Sequence, residues 1–306
     1  MARILSTSLL LLALALARTA AADARTFATP EEAGAELAAA LAANDDKALM
    51  DVLGAGADAI MGPGSDPVVA ANRKDLAEVA KKKIAVDRSD PKRAILLFGE
   101  DGWPVPIPLV PDGARWRFDV AQGKDEVLAR KIGRNELRAL QICADYQDMQ
   151  AEYASEDRNG NKVREYAQKL MSAPGTHDGL YWPDPKGDDP SPIAVELDDA
   201  ATPKAGEPYG GYRWRILTAQ GANAPGGAYS YIINGNMIAG FGLIGVPAEY
   251  RESGVMTFIT SNHGQVYQKD LGPQTAEVAK AITTYDPDSS WTELTPEDEL
   301  DYDEED

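Results

Sequence analysis

An α+β architecture in two folded parts is what this sequence predicts, and three observations carry it. Apolar residues recur at helical spacing over residues 30–53 and 67–86, then give way to short strand-like runs between 94 and 120. A long helical pattern follows over residues 123–155, in which Val127, Leu128, Ile132, Leu137, Leu140, Tyr146, Met149 and Tyr153 return at steps that share one helix face. Beyond residue 207, Gly, Asn and Pro cut the chain into short strands, and Asn262-His263-Gly264 makes a hairpin turn. Helices and hairpin strands in separate blocks, rather than alternating βα units, describe antiparallel sheets with segregated helices. At 306 residues the chain is also long for one compact domain.

Each element has local chemistry behind it. Thr29-Pro30-Glu31-Glu32 supplies a capping hydroxyl, a proline at the first helical position and acid in the first turn, so an Ala/Leu helix is expected to residue 43. Asn44-Asp45-Asp46 caps a second helix through Leu53, and Gly54, Gly56, Gly62, Pro63 and Gly64 make a loop. A third helix is expected over 67–86, with Lys81, Lys82 and Lys83 complementing its C-terminal dipole. Strands follow over 94–98, 104–110 and 115–120, the proline-studded middle one suited to an edge. After the long helix a loop-rich stretch runs to residue 207 and holds a short helix over 163–171. The last strands are expected at 212–218, 228–233, 240–246, 255–260 and 266–270.

Composition narrows the setting. Arg3, the apolar run over 4–17 and the small-residue sites Ala20-Ala21-Ala22 or Ala22-Asp23-Ala24 read as a signal peptide, giving a periplasmic or secreted protein of a Gram-negative-type envelope. No later stretch approaches the roughly 20 apolar residues that span a bilayer. Cys143 is the single cysteine, so no intramolecular disulfide is available and packing must supply stability. Within a helical pattern that thiol reads as a small buried hydrophobe, with a reactive thiol as the alternative. The net charge of -19 argues against nucleic acid, whose phosphates need Lys and Arg. After Lys280 no basic residue occurs, and EDELDYDEED over 297–306 reads as a solvated acidic tail. The domain plan is therefore a signal peptide at 1–24, an α+β domain at 25–122, a bridging helix at 123–155, a β-rich domain at 156–285 and a disordered acidic tail at 286–306.

Ordered phrases carry a resemblance. EYASEDRNGNKVREYAQKLMSAPGTHDGLYW, PYGGYRWRILTAQG, PGGAYSYI and FGLIGVPAEYRESGVMTFITSNHGQVYQKDLG resemble the bacterial envelope family called DUF2950, over about residues 27–286. That resemblance implies no activity. The helix-then-hairpin order ending WPVPIPLVPDGARWRFDV resembles the NTF2-like fold, and the second half is similar in layout to the headgroup of type IV pilin-like proteins. Pilins use the long helix as an N-terminal membrane segment, whereas here a domain precedes it.

Few constellations suggest chemistry. Gly240-Phe241-Gly242-Leu243-Ile244-Gly245 spells the dinucleotide pattern, but the match is itself strand-like and Pro247 prevents a helix from opening after it. Asp157, Asn159 and Asn161 alternate as the first oxygen ligands of a calcium loop do; Lys162 and Gln168 stand where that loop needs Gly and Glu, so an Asx-rich turn is the other reading. No other cofactor is expected. Only His177 and His263 are present, too few for a zinc set, and His177 with Asp178 or Asp184 lacks a nucleophile elbow. Tyr181, Trp182, Tyr212 and Trp214, together with His177 and Asp178, form the candidate ligand-binding set for a glycan or peptide; loop anchoring is the alternative. The expected function is a periplasmic structural or interaction protein whose partner is an envelope protein or cell-wall component. Alternatives are a module binding calcium, glycan or peptidoglycan, and a His177-dependent hydrolase.

Overall fold

The computed structural model describes residues 25–184, 186–193 and 206–294; the expected signal peptide at 1–24 and the acidic run at 297–306 lie outside them. The architecture is α+β, with helices and antiparallel strands dividing into two compact units at residues 127 and 128.

In the first unit, α1 (Pro30–Ala43) opens under Thr29, whose hydroxyl accepts from the Glu32 amide at 3.2 Å. Asp45 caps α2 (Asp46–Leu53) through the Lys47 and Ala48 amides. A single turn, α3 (Asp58–Met61), follows in the glycine-rich loop, and Asp66 caps α4 (Pro67–Lys82), which starts on Pro67. These caps satisfy amides that helix starts leave without partners.

The third helix stops four residues short of the expected 86. Lys83 is already extended, and Ile84 to Asp87 form β1 (Ile84–Asp87) against β2 (Ile95–Phe98). The β-branched Ile84 and Val86 favour this pleated pairing over another helical turn. β3 (Trp103–Pro104) adds to β2, while β4 (Leu109–Asp112) pairs with β5 (Arg115–Phe118). The proline-rich run thus yields two short strands, because prolines remove ladder donors. Leu37 and Leu41 of α1, Ala77 of α4, and Leu96 and Phe98 of β2 meet in one buried core.

Helix α5 (Val120–Ala154) begins within the first unit and continues through the second. The second unit then builds β6 (Tyr212–Leu217), the short strands β7 (Ala219–Gln220), β8 (Tyr229–Ser230), β9 (Ile232–Ile233) and β10 (Asn236–Met237), and the long β11 (Gly242–Pro247), β12 (Met256–Ser261) and β13 (Val266–Asp270). It closes with α6 (Thr275–Ala281) and β14 (Thr292–Glu293). The main sheet has five antiparallel strands in the order β14-β13-β12-β11-β6, so β6 is an edge.

Side-chain alternation sorts the two faces of this sheet. Tyr212 and Phe258 pack with Ala139, Leu140 and Cys143 of α5, and Leu243 packs with Tyr146 and Met149. Leu217, Ile244 and Ile259 point the other way, onto Ile282, Tyr285 and Trp291. Covered on both faces, β11 is buried at five of its six positions, which is why its sequence reads as an unbroken apolar run. The glycine pattern at 240–245 therefore runs into β11 from Gly242 and opens no helix.

Two expectations for this unit are corrected. Residues 163–171 form no helix: the Tyr166 amide donates to the Met237 carbonyl at 2.8 Å, and Gln150 of α5 both donates to Ala167 O at 3.1 Å and accepts from Ala167 N at 2.8 Å. The acidic tail does not begin at 286, because β14 pairs with β13 and the Leu294 amide donates to Val266 O at 2.9 Å.

Candidate functional site

The loop between α5 and β6 gathers four of the residues expected to bind a ligand. Trp182 is folded inward, 3 % exposed, and its Nε1 donates to the Asp189 carbonyl at 2.8 Å. His177 stacks on the Trp182 ring at 4.3 Å between centroids, and the Arg158 guanidinium lies 5.6 Å from the same ring. Asp189 also places its carboxylate 3.5 Å from His177 Nδ1 and 3.7 Å from Arg158. Tyr181 contributes its backbone, donating to Leu170 O and accepting from the Ser172 amide, each at 2.8 Å.

Asp178 has partners of its own. It is bonded to the Lys169 ammonium, accepts from the Ala173 amide at 2.8 Å and from the Thr176 hydroxyl at 2.7 Å, and these donors, Lys169 first, pull its carboxyl down to about 2. A carboxylate so engaged is a poor base. Among the described residues no hydroxyl or thiol is bonded to the His177 ring. Cys143 offers no substitute, since complete burial in the apolar core pushes its thiol up and leaves little thiolate.

The Asp157 loop is closed on itself in the same way. One Asp157 oxygen accepts from the Gly160 and Asn161 amides at 2.8 and 3.1 Å, and the other accepts from the Lys162 amide at 2.8 Å. Asn159 and Asn161 turn their amide nitrogens to Glu165 Oε1 at 2.8 and 2.5 Å, while Glu165 Oε2 accepts from the Met237 amide at 2.9 Å. The buried Glu165 carboxylate thus organises the loop through N–H donors. Calcium needs about six to eight converging oxygens; here the oxygens diverge onto amides, and no group of three or more His, Cys, Asp or Glu among the described residues is placed to hold a metal. The geometry is that of an Asx-rich turn.

Tyr212 and Trp214 sit apart from Tyr181, on β6. Tyr212 is fully buried, its hydroxyl donating to Met256 O at 3.0 Å, so it is a core residue and not a binding surface. Trp214 is half-buried, donates from Nε1 to Tyr209 O at 3.2 Å, and lies flat over Gly245, where an added Cβ would come within 2.6 Å of the ring. Glycine at 245 is what allows the indole to rest on the sheet.

Beside Trp214 opens a groove of about 410 Å³. Ile142, Tyr146 and Met149 of α5 form one wall, and Leu170, Trp214 and Ile216 form much of the rest. Lys169 and Glu207 add polar groups to the lining, and the β6 residues Arg213 and Arg215 adjoin it. Such a volume and lining suit an apolar ligand or side chains held by a few polar groups. Sequence reasoning found Trp214 but missed Lys169, Leu170, Ile216 and the arginines as neighbours of one cavity. The alternation Tyr212-Arg213-Trp214-Arg215-Ile216 was the available signal, since it separates an apolar from a basic face.

A model of the family described as "Protein of unknown function (DUF2950)" matches residues 24–294. No curated protein and no solved structure matches the chain. With the family match spanning all the described residues, the chain belongs to the DUF2950 family.

Proposed function

We propose that this protein is a non-catalytic interaction protein of the bacterial envelope, and that it engages a partner through the groove between α5 and β6. The observation that carries the reading is the groove itself: about 410 Å³, walled largely by apolar side chains and bordered by the edge strand of a five-stranded sheet. Support also comes from the polar loop, where His177, Asp178 and Asp157 are each committed to internal contacts. The helix-then-hairpin order of the first unit and α5 lying on an antiparallel sheet in the second are compatible with the NTF2-like and pilin-headgroup-like readings, which belong to this proposal. The signal-peptide pattern of Arg3, the apolar run over 4–17 and the small residues that follow supports the envelope setting.

A photo-crosslinking side chain introduced at Lys169 or Ile216 in cells tests the reading. Discrete adducts at these positions, and none at the exposed Lys47 of α2, are expected. Irradiation that gives no adduct at either groove position, or the same adducts at Lys47, would overturn it.

A further inference from the structure

The outer edge of β6 has backbone groups to spare. Gly211 O accepts from the Ala248 amide at 2.9 Å, on the β11 side, whereas Tyr212 exchanges both its backbone bonds with Tyr209 on the outer side. In an antiparallel ladder this direction alternates residue by residue. Arg213 and Arg215 therefore pair inward with β11, and the N–H and C=O groups of Trp214 and Ile216 point outward. Tyr209 covers the edge at one end, and Tyr231, whose amide donates to Thr218 O at 2.9 Å, covers it at the other. Between them, among the described residues, no backbone partner meets Trp214 or Ile216. Unpaired strand edges are templates for an added strand.

The two faces of that edge differ in chemistry. Trp214 and Ile216 project toward α5 and line the groove. Arg213 and Arg215 project to the opposite face; Arg215 donates to Ala279 O and Ile282 O at 3.0 and 2.7 Å, and Arg213 donates to Gly206 O at 3.0 Å. Both arginines are exposed and, among the described residues, neither forms an ion pair with a carboxylate. A strand laid beside β6 presents alternate side chains to these two faces.

Resting on the binding role proposed above, we infer that β6 takes up an extended peptide of a partner protein by strand addition, and that the peptide alternates apolar side chains, set in the groove, with acidic ones beside Arg213 and Arg215. Charge complementarity at short range selects this occupant: Arg213 and Arg215, exposed and without an ion-paired carboxylate among the described residues, favour an anionic strand laid beside them.

The test uses the whole protein and a synthetic EVDLEVD peptide, followed by amide chemical shifts and titration. Saturable binding that moves the Trp214 and Ile216 amides is expected, with about tenfold weaker binding to Arg213→Glu. Methylating alternate amide nitrogens of the peptide should abolish binding, because a strand needs those donors. Ile216→Pro should abolish it too, whereas Ile216→Val should retain it; an outward-facing N–H is the one a proline can lose without breaking the ladder.

Equal binding of a KVRLKVR peptide, unchanged binding of the methylated peptide, or failure of EVDLEVD to bind would overturn the inference. So would a free protein that dimerises through this edge, or binding that appears only after residues 194–205 are replaced by a Gly-Ser linker, which would assign the edge to the chain itself. Photo-adducts at Lys169 or Ile216 without peptide binding would sink the strand-addition inference alone; their absence would remove the underlying binding role.

Discussion

The Trp182 loop and the β6 groove share one apolar cluster, yet they use their polar groups in opposite ways. In the loop, the side chains that suggested binding are turned inward: Trp182 donates to Asp189, Asp178 collects Lys169, Ala173 and Thr176, and Asp157 collects three amides. At β6 the side chains look like ordinary strand residues, and it is the main chain of Trp214 and Ile216 that, among the described residues, is unspent. Dense aromatic and acidic residues in a loop can thus mark self-closure, while capacity for a partner resides in an edge that residue types do not reveal.

Cutting into the closed cluster should cost the most. Trp182→Ala is expected to lower stability by about 3–5 kcal/mol, since it empties a buried site and strands the Arg158 and His177 contacts; urea unfolding measures this. Gly245→Ala should cost about 1–3 kcal/mol, because the new methyl meets the Trp214 ring, and the same variant should change the groove by tilting the indole. A loss as large as that of Trp182→Ala would mean that Trp214 is as integral to the core as Trp182.

Protonation probes the loop more gently. The Asp178 carboxyl titrates near 2 in the folded chain, below its ordinary 3.8, so its contribution is present above about pH 4 and is lost as pH falls toward 2. Asp178→Asn should flatten that acid limb by at most about 2 kcal/mol. An unchanged limb would show that Lys169 does not hold the carboxylate in solution. Arg213→Glu, at the open edge, should leave stability within about 0.5 kcal/mol of the parent. Calcium should leave Tm unaltered; an increase that saturates with calcium would mean that the Asp157 loop rearranges to free its oxygens.

Much of the fold was legible because its signals are local. Thr29 and Asp45 stand at helix starts that they cap, and the apolar spacing of α5 follows one face. Failures arose where a distant partner decided. Val163, Ala167 and Leu170 have helical spacing, but Gln150 and Met237 capture that backbone in a non-helical course. Ile84 and Val86 continue a helical pattern that pairing with β2 overrides. For the site, His177, Asp178 and Trp182 share one loop in the sequence, whereas the position of β6 at a sheet edge depends on strand order, which no spacing within residues 212–217 encodes.

Amide hydrogen exchange across β6 in the isolated full-length protein tests the central claim most directly. The amides of Arg213 and Arg215 should exchange slowly and those of Trp214 and Ile216 fast, a two-residue alternation that only an uncovered edge produces. Equal, strong protection of all four would mean that the edge is already paired, and would contradict the account.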